Sequence, residues 1–265
     1  MKVNHKNRYD RLGTLIMCYP SNFKGRGEID IDHNLMYEQY NNFINLLTRE
    51  GATIQFLDPL YGENQVFTRD VGFVIDDIMF IAKMSNKDRI YETYALKKYI
   101  TKYHSKIYEM KNNIEGGDVI IYQKYVFVGV SKRTSMEALE ELQNYLDKNN
   151  MGYKVIPIKF NKEKMLHLDC VFNILDKGEC LISTYVYDKE VIENIIEKCY
   201  YIDKKISEEL GTNIICLGDR RIITANKSIY KLLKEKGFRV FYVDYSEILK
   251  GGGAFTCSTL PIYRN

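Results

Sequence analysis

The sequence predicts an α/β fold built from five strand–strand–helix–strand units arranged as blades of a propeller, with the last blade closed by the N-terminus. Three observations predict it. Short apolar runs alternate with stretches of helical period along the whole chain. The polar loop residues Asp70, Asp118 and His167 recur at intervals of 48 and 49 residues, each just ahead of a pair of apolar runs. The final unit opens at Gly251–Leu260 and runs out of chain, while the strand, helix and strand that it lacks stand at residues 13–57. Repetition at this spacing favours small sheets placed radially about an axis over one open sheet.

A strand is expected over 13–18, followed by a polar loop that holds Asn22, Gly25 and Gly27. Asp32 is suited to cap a helix over 33–50, in which Leu35, Met36, Tyr40, Phe43, Ile44 and Leu47 recur at helical spacing, and Gly51 suits its end. A strand over 53–57 and a loop over 58–66 lead to Phe67-Thr68-Arg69-Asp70. The first full unit has strands over 72–76 and 78–83 about an Asp76-Asp77 turn, a helix over 87–100 and a strand over 105–110. The second has strands over 119–123 and 125–130, a helix over 134–149 capped by Thr134, and a strand over 153–158. The third has strands over 170–175 and 179–183, a helix over 187–198 and a strand over 199–203. The fourth has strands over 213–217 and 220–224, a helix over 226–236 and a strand over 238–243. Residues 1–265 are read as a single domain of ordinary globular composition, 45% apolar and 28% charged.

Charge and composition narrow the function. A net charge of +3 with no dense basic block argues against nucleic acid as a partner. No apolar run approaches the ~18 residues of a membrane span. Residues 1–8 lack the apolar core of a signal peptide, so a cytoplasmic location is expected. The six cysteines (18, 170, 180, 199, 216 and 257) are dispersed, with no Cys-x-x-Cys pair. That pattern suits reduced thiols rather than a disulfide framework or a zinc site, and neither a metal nor a cofactor is expected.

In a closed ring the same end of each unit faces one central mouth, so Asp70, Glu115, Asp118, His167, Asp169 and Cys257 are expected to converge. Gly251, Gly252 and Gly253 remove every Cβ from the approach to Cys257 and allow positive φ beside a ligand. Each feature alone has a plainer reading. The glycine run could be a loop entering a strand, and Cys257 a small buried hydrophobe. Asp70 could pair with Arg69 at the surface, Glu115-Gly116-Gly117-Asp118 could be a turn, and His167 could hold a structural hydrogen bond. Their matched places in a repeat favour a site. Carboxylates bind a cation, a cysteine attacks an electrophilic carbon and a histidine moves protons. A guanidinium, planar and positive with paired N–H donors, fits all three.

These residues fall in an ordered set: 64–70 ending in Arg69-Asp70, Arg89-Ile90-Tyr91-Glu92, Glu115-Gly116-Gly117-Asp118, Ser131-Lys132-Arg133-Thr134, 167–172 beginning His167-Leu168-Asp169, and the stretch from Gly251 to Cys257. In this set the chain resembles the guanidine-modifying (pentein) superfamily of arginine deiminases, agmatine deiminases, dimethylarginine dimethylaminohydrolases and amidinotransferases. The resemblance implies the five-bladed α/β propeller and a covalent mechanism acting on a small guanidino substrate. Cys257 would be the nucleophile and His167 the proton shuttle, with Glu115 beside it. Asp70 and Asp169 would hold the substrate nitrogens. Arg89 and Arg133 would grip a substrate carboxylate, and Asn64 would help position the substrate. Asp118, Gly116, Gly117, Gly252 and Gly253 would shape the site. The implied activity is hydrolysis of the guanidino group of arginine or a close relative to a ureido product, citrulline from arginine itself, and ammonia. A dimethylarginine dimethylaminohydrolase, an amidinotransferase and a non-turning-over cation-binding module are the alternatives. Bacterial arginine deiminases carry an inserted helical domain for which this chain has no room. The oligomeric state is left open, a homodimer included.

Overall fold

The computed structural model describes residues 2–27, 29–60, 62–102 and 106–265. The chain begins with β1 (Leu12–Cys18), α1 (His33–Arg49) and β2 (Thr53–Leu57). Next come β3 (Gly72–Ile75), β4 (Ile78–Ile81), a 3-10 turn at Lys87–Arg89, α2 (Glu92–Thr101) and β5 (Lys106–Glu109). The following unit is β6 (Val119–Tyr122), β7 (Tyr125–Val130), α3 (Met136–Lys148) and β8 (Lys154–Lys159). Then come β9 (Phe172–Asp176), β10 (Glu179–Ser183), α4 (Lys189–Glu193), β11 (Lys198–Ile202) and α5 (Lys204–Glu208). The chain ends with β12 (Ile215–Gly218), β13 (Arg221–Thr224), α6 (Lys227–Glu235), β14 (Arg239–Tyr242), α7 (Ser246–Leu249) and β15 (Leu260–Arg264).

The strands form five three-stranded mixed sheets. In four of them a hairpin supplies an antiparallel pair, and the strand after the helix adds in parallel, as in β3–β4–β5. The fifth is drawn from both ends of the sequence: β15 lies antiparallel to β1, with Leu12 opposite Arg264, and β1 lies parallel to β2. Hairpin strands such as β3, β4 and β6 are buried throughout, which is why they read as unbroken apolar runs, while the third strands are largely half-exposed. Five apolar clusters join the sheets. Phe73 and Phe80 pack with Val126 and Val128, Phe127 with Phe172 and Ile182, and Leu181 with Cys216 and Ile222. Ile215 and Ile223 pack with Leu15, and Ile16 with Val74 and Met79.

Helix boundaries show where tertiary contacts override local signals. Asp32 caps α1 as expected, accepting from the N–H groups of Asn34 and Leu35. Thr134 does not cap α3. Ser135 does, accepting from the Ala138 N–H, while the Thr134 hydroxyl donates to Asp118 Oδ2 at 2.7 Å and accepts from the Glu115 N–H at 3.2 Å. The helix expected over 187–198 shrinks to α4, in which Ile192 alone is buried; without a broad apolar face a helix gains little from packing. The helix expected over 87–100 begins as a 3-10 turn, and the strand expected from 105 is seen from Lys106, Ser105 lying outside the described residues. The strand expected from 170 starts at Phe172 because Leu168–Cys170 is a 3-10 turn, and α5 and α7 are additions. No described helix is long and apolar enough to cross a membrane.

Ser135→Ala should cost about 1 kcal/mol through the lost cap. Thr134→Val should cost more, about 1–3 kcal/mol, because it strips a hydrogen bond from a buried carboxylate and an acceptor from a buried N–H. Urea unfolding at unchanged m-value measures both, and an equal or reversed order would contradict the role given to Thr134.

Candidate active site

A tight turn precedes the first hairpin strand in four sheets, and β15 in the fifth. Those five turns deliver Asp70, Asp118, Asp169, Asn213 and Cys257. A cavity of about 120 Å³ is lined by Asn64, Asp70, Arg89, Arg133, His167 and Cys257, together with Arg26 and Gly251–Gly253. The expected site residues therefore come together, with Glu115, Asp118 and Asp169 buried beside the lining side chains.

His167 is the hub of the acidic side. Its Nε2 lies 2.8 Å from Glu115 Oε2 and its Nδ1 3.6 Å from Asp70 Oδ1. Burial alone would push the imidazole down, but the charge of Asp70, the hydrogen bond to Glu115 and the charges of Asp118 and Glu115 outweigh it and hold His167 well above its ordinary range. Burial likewise works against ionised Glu115, and His167, Arg89 and Arg133 overcome it, leaving this carboxyl below its usual range. A Cβ at Gly117 would stand 2.7 Å from His167 Nδ1, so a glycine is required there to seat the ring.

Asp118 faces away from the cavity chemistry. It accepts from Ser131 Oγ (2.6 Å), Thr134 Oγ1 (2.7 Å) and the Leu168 N–H (2.9 Å), thereby tying the Gly116–Asp118 turn to the one that carries Asp169. Burial pushes it up to about 6 despite these bonds and the nearby His167.

Arg89 lines the cavity with its guanidinium already committed to carboxylates. Its Nη1 donates to Asp70 Oδ2 at 2.7 Å, and its Nε and Nη2 grip Glu92. Asp70 Oδ1 has no hydrogen-bond partner among the described residues. Arg133 is freer: its side chain is 20% exposed, and its contact with Glu115 is 3.5 Å long. Asn64 reaches this group through its carbonyl, 3.4 Å from Arg89 Nη2.

Cys257 is 4% exposed, with Sγ 4.0 Å from both oxygens of Asp169. Burial raises Asp169 above the ordinary carboxylate range, against the pull of His167 and Arg8. Within the glycine run, Gly252 alone has positive φ (+80°); its missing Cβ leaves room for the Arg26 guanidinium at the cavity mouth. Gly253 packs its Cα side against the Phe67 ring. Two groupings of potential metal donors occur among the described residues, Asp70–Glu115–His167 and Asp169–Cys170–Cys257. The donors of the first are already engaged with one another and with Arg89.

Asn213 is the residue that sequence reasoning missed. Its Nδ2 donates to Cys257 Sγ at 3.1 Å and to Asp169 Oδ1 at 3.3 Å. Its Oδ1 accepts from the N–H groups of Ala254 (3.2 Å) and Cys257 (3.3 Å). One buried amide thus orients the thiol, its carboxylate neighbour and the loop between them. The available signal was the repeat, since Asn213 lies 44 residues from both Asp169 and Cys257. Arg26 and Glu92 were also passed over as site residues.

The family model described as arginine deiminase matches residues 46–208. The uncharacterized protein YkgA of Bacillus subtilis (strain 168) is 32% identical, over 99% of this chain and 97% of its own length. The arginine deiminase of Streptococcus pneumoniae (strain Hungary19A-6) is 28% identical over 78% of this chain, and the match spans 62% of that enzyme. Among solved structures, the N-terminal domain of ArgZ, an arginine dihydrolase from the ornithine-ammonia cycle in cyanobacteria, has a TM-score of 0.86 at 22% identity, covering 96% of this chain and 98% of its own; this likeness speaks to the fold. The family match covers more than half of the described architecture and includes the turns that carry Asp70, Asp118 and Asp169. The chain belongs to the arginine deiminase family.

Proposed function

We propose that this protein is a cysteine-dependent hydrolase that converts the guanidino group of free arginine, or a close relative, to a ureido group with release of ammonia. One observation carries the reading. Cys257 and Asp70 line one small cavity, Asp169 lies 4.0 Å from Cys257 Sγ, and Asp70 Oδ1 carries no hydrogen bond among the described residues. A planar guanidinium donating to both carboxylates would place its carbon over the sulfur. We also read the five sheets as the blades of a single-domain propeller, supported by the sheet built from both chain ends and by apolar clusters that link the sheets in cyclic order.

The chemistry follows from the groups present. The Cys257 thiolate forms a bond to the guanidinium carbon, and His167, held protonated by its carboxylate neighbours, gives its proton to the departing amine as the C–N bond breaks. A thiouronium-type adduct remains. Neutral His167 then takes a proton from water and the hydroxide adds to the same carbon; the C–S bond breaks to return the thiolate, and the remaining hydroxyl proton passes to the released ammonia or to solvent as the ureido C=O forms. Asn213 Nδ2 supplies the sulfur with a hydrogen-bond donor. Asp169 beside Sγ leaves less room for methyl groups on the reacting nitrogens, which favours an unsubstituted guanidinium. Arg89 is committed to Asp70 and Glu92, so a substrate carboxylate would meet Arg133 first.

The direct test is a panel of arginine, agmatine, monomethylarginine and dimethylarginine, scored for ammonia or methylamine and for ureido product. Arginine turnover is expected; preference for dimethylarginine, or silence on all four, would overturn the assignment. Cys257→Ser should lower kcat on the order of 10⁴-fold or more while substrate still binds. Arg133→Ala should raise KM for arginine about tenfold or more, the loss of one charge-assisted hydrogen bond, and leave agmatine little affected. Arg89→Ala should instead depress turnover of both substrates, because it frees Asp70. Glu115→Gln removes a charge that keeps the proton on His167. The alkaline limb of kcat/KM against pH should therefore move to lower pH, and an unmoved limb would separate His167 from the proton transfer.

A further inference from the structure

A second polar cluster lies behind the Cys257 loop, away from the catalytic cavity. Arg8, Arg69 and Arg264 are 6%, 2% and 1% exposed, and His5 is 1% exposed. With Thr256 they line a small pocket that leaves about 10 Å³ for the centre of a water-sized sphere. The guanidinium hydrogen bonds run to carbonyls: Arg69 to those of Gly116 and Val119, and Arg264 to those of Asp10 and Cys216. Among the described residues no carboxylate pairs with any of the three, and Arg8 Nη1, Arg264 Nε and both ring nitrogens of His5 have no hydrogen-bond partner.

Three buried cations without contacting anions are a costly arrangement. Their mutual strain is visible in their acidity. Burial, joined by repulsion from Arg8, pushes Arg69 down to about 9 and Arg264 down to about 10. His5 is driven well below its ordinary range by burial and by the same three arginines, so it is neutral and offers one N–H.

We propose that this pocket binds one monatomic anion of halide size, held by Arg8 Nη1, Arg264 Nε and the His5 ring. Water suits the place less well. It must donate as well as accept, and the surrounding unpartnered groups are mainly donors. An anion accepts from all of them and removes the repulsion. The small space open to a sphere's centre favours a compact monatomic ion over a tetrahedral oxyanion.

Bromide is the probe. Crystals of the full chain grown without halide and soaked in sodium bromide should show an anomalous peak between Arg8 and Arg264. In solution, sodium bromide should raise Tm by about 2–4 °C in a saturable way relative to sodium gluconate at matched ionic strength. Arg8→Met, which keeps the length of the stem but removes the charge, should lose that response. The absence of an anomalous peak, or a bromide effect that never saturates and survives Arg8→Met, would overturn the proposal. If Arg8→Met fails to fold, the peak in the unaltered protein decides.

Discussion

The constraint on which this structure rests is the burial of acid. Asp70, Glu115, Asp118 and Asp169 are each 2% exposed or less, and they crowd one end of five small sheets. Isolated carboxylates in such a setting would cost several kcal/mol each. Each therefore has a partner chosen by the fold. Arg89 binds Asp70, His167 binds Glu115, and two hydroxyls with a backbone N–H hold Asp118. Asp169 differs. It is held by the neutral groups of Asn213 and Cys170, and among the described residues no cation touches it. Burial accordingly leaves it a weaker acid than an ordinary carboxyl. On the proposed function a cationic substrate would supply the missing partner, and its binding would neutralise Asp169.

Much of this was legible in the sequence, because the site is built on a repeat. The turn before each first strand carries a polar residue of the site, and the spacings between Asp70, Asp118 and His167 express that period in the sequence itself. Cys257 could be singled out from three glycines, although their physical role differs from the one inferred. Gly252 needs its positive φ, whereas Gly251 and Gly253 are small because the rings of Phe23 and Phe67 press on them. Asn213 escaped notice because an asparagine before a strand is an ordinary loop residue. Its four hydrogen bonds to the Cys257 loop and Asp169 join segments 41 to 44 residues apart, which no local pattern reports.

The misjudged helix boundaries have a related cause. Thr134 and Ser135 are both competent caps, and local propensity does not choose between them. The choice is made by Asp118, which captures the Thr134 hydroxyl from another turn and leaves Ser135 to the helix. Arg89 shows the same effect within the site. The family resemblance gives Arg89 a grip on a substrate carboxylate; in the structure Glu92, one helical turn later, takes two of its nitrogens while a third donates to Asp70. A side chain in a polar cluster is thus defined by which neighbour binds it most strongly, and that is settled only when the turns are assembled.

The near-neutral composition conceals a separation of charge. A net +3 over 265 residues suggests even mixing, yet four carboxylates gather on one side of the Cys257 loop and three arginines on the other. The two groups feel each other: Arg8 and Arg69 favour the ionised form of Asp169, and Asp169 in turn supports the charge on both arginines. The basic cluster therefore acts as a distant counter-charge for Asp169, which among the described residues has no contacting cation. Interactions at this range are weaker than a contact pair but persist in a dry interior, where screening by salt is slight. Burial still outweighs that support, so Asp169 stays above the ordinary carboxylate range.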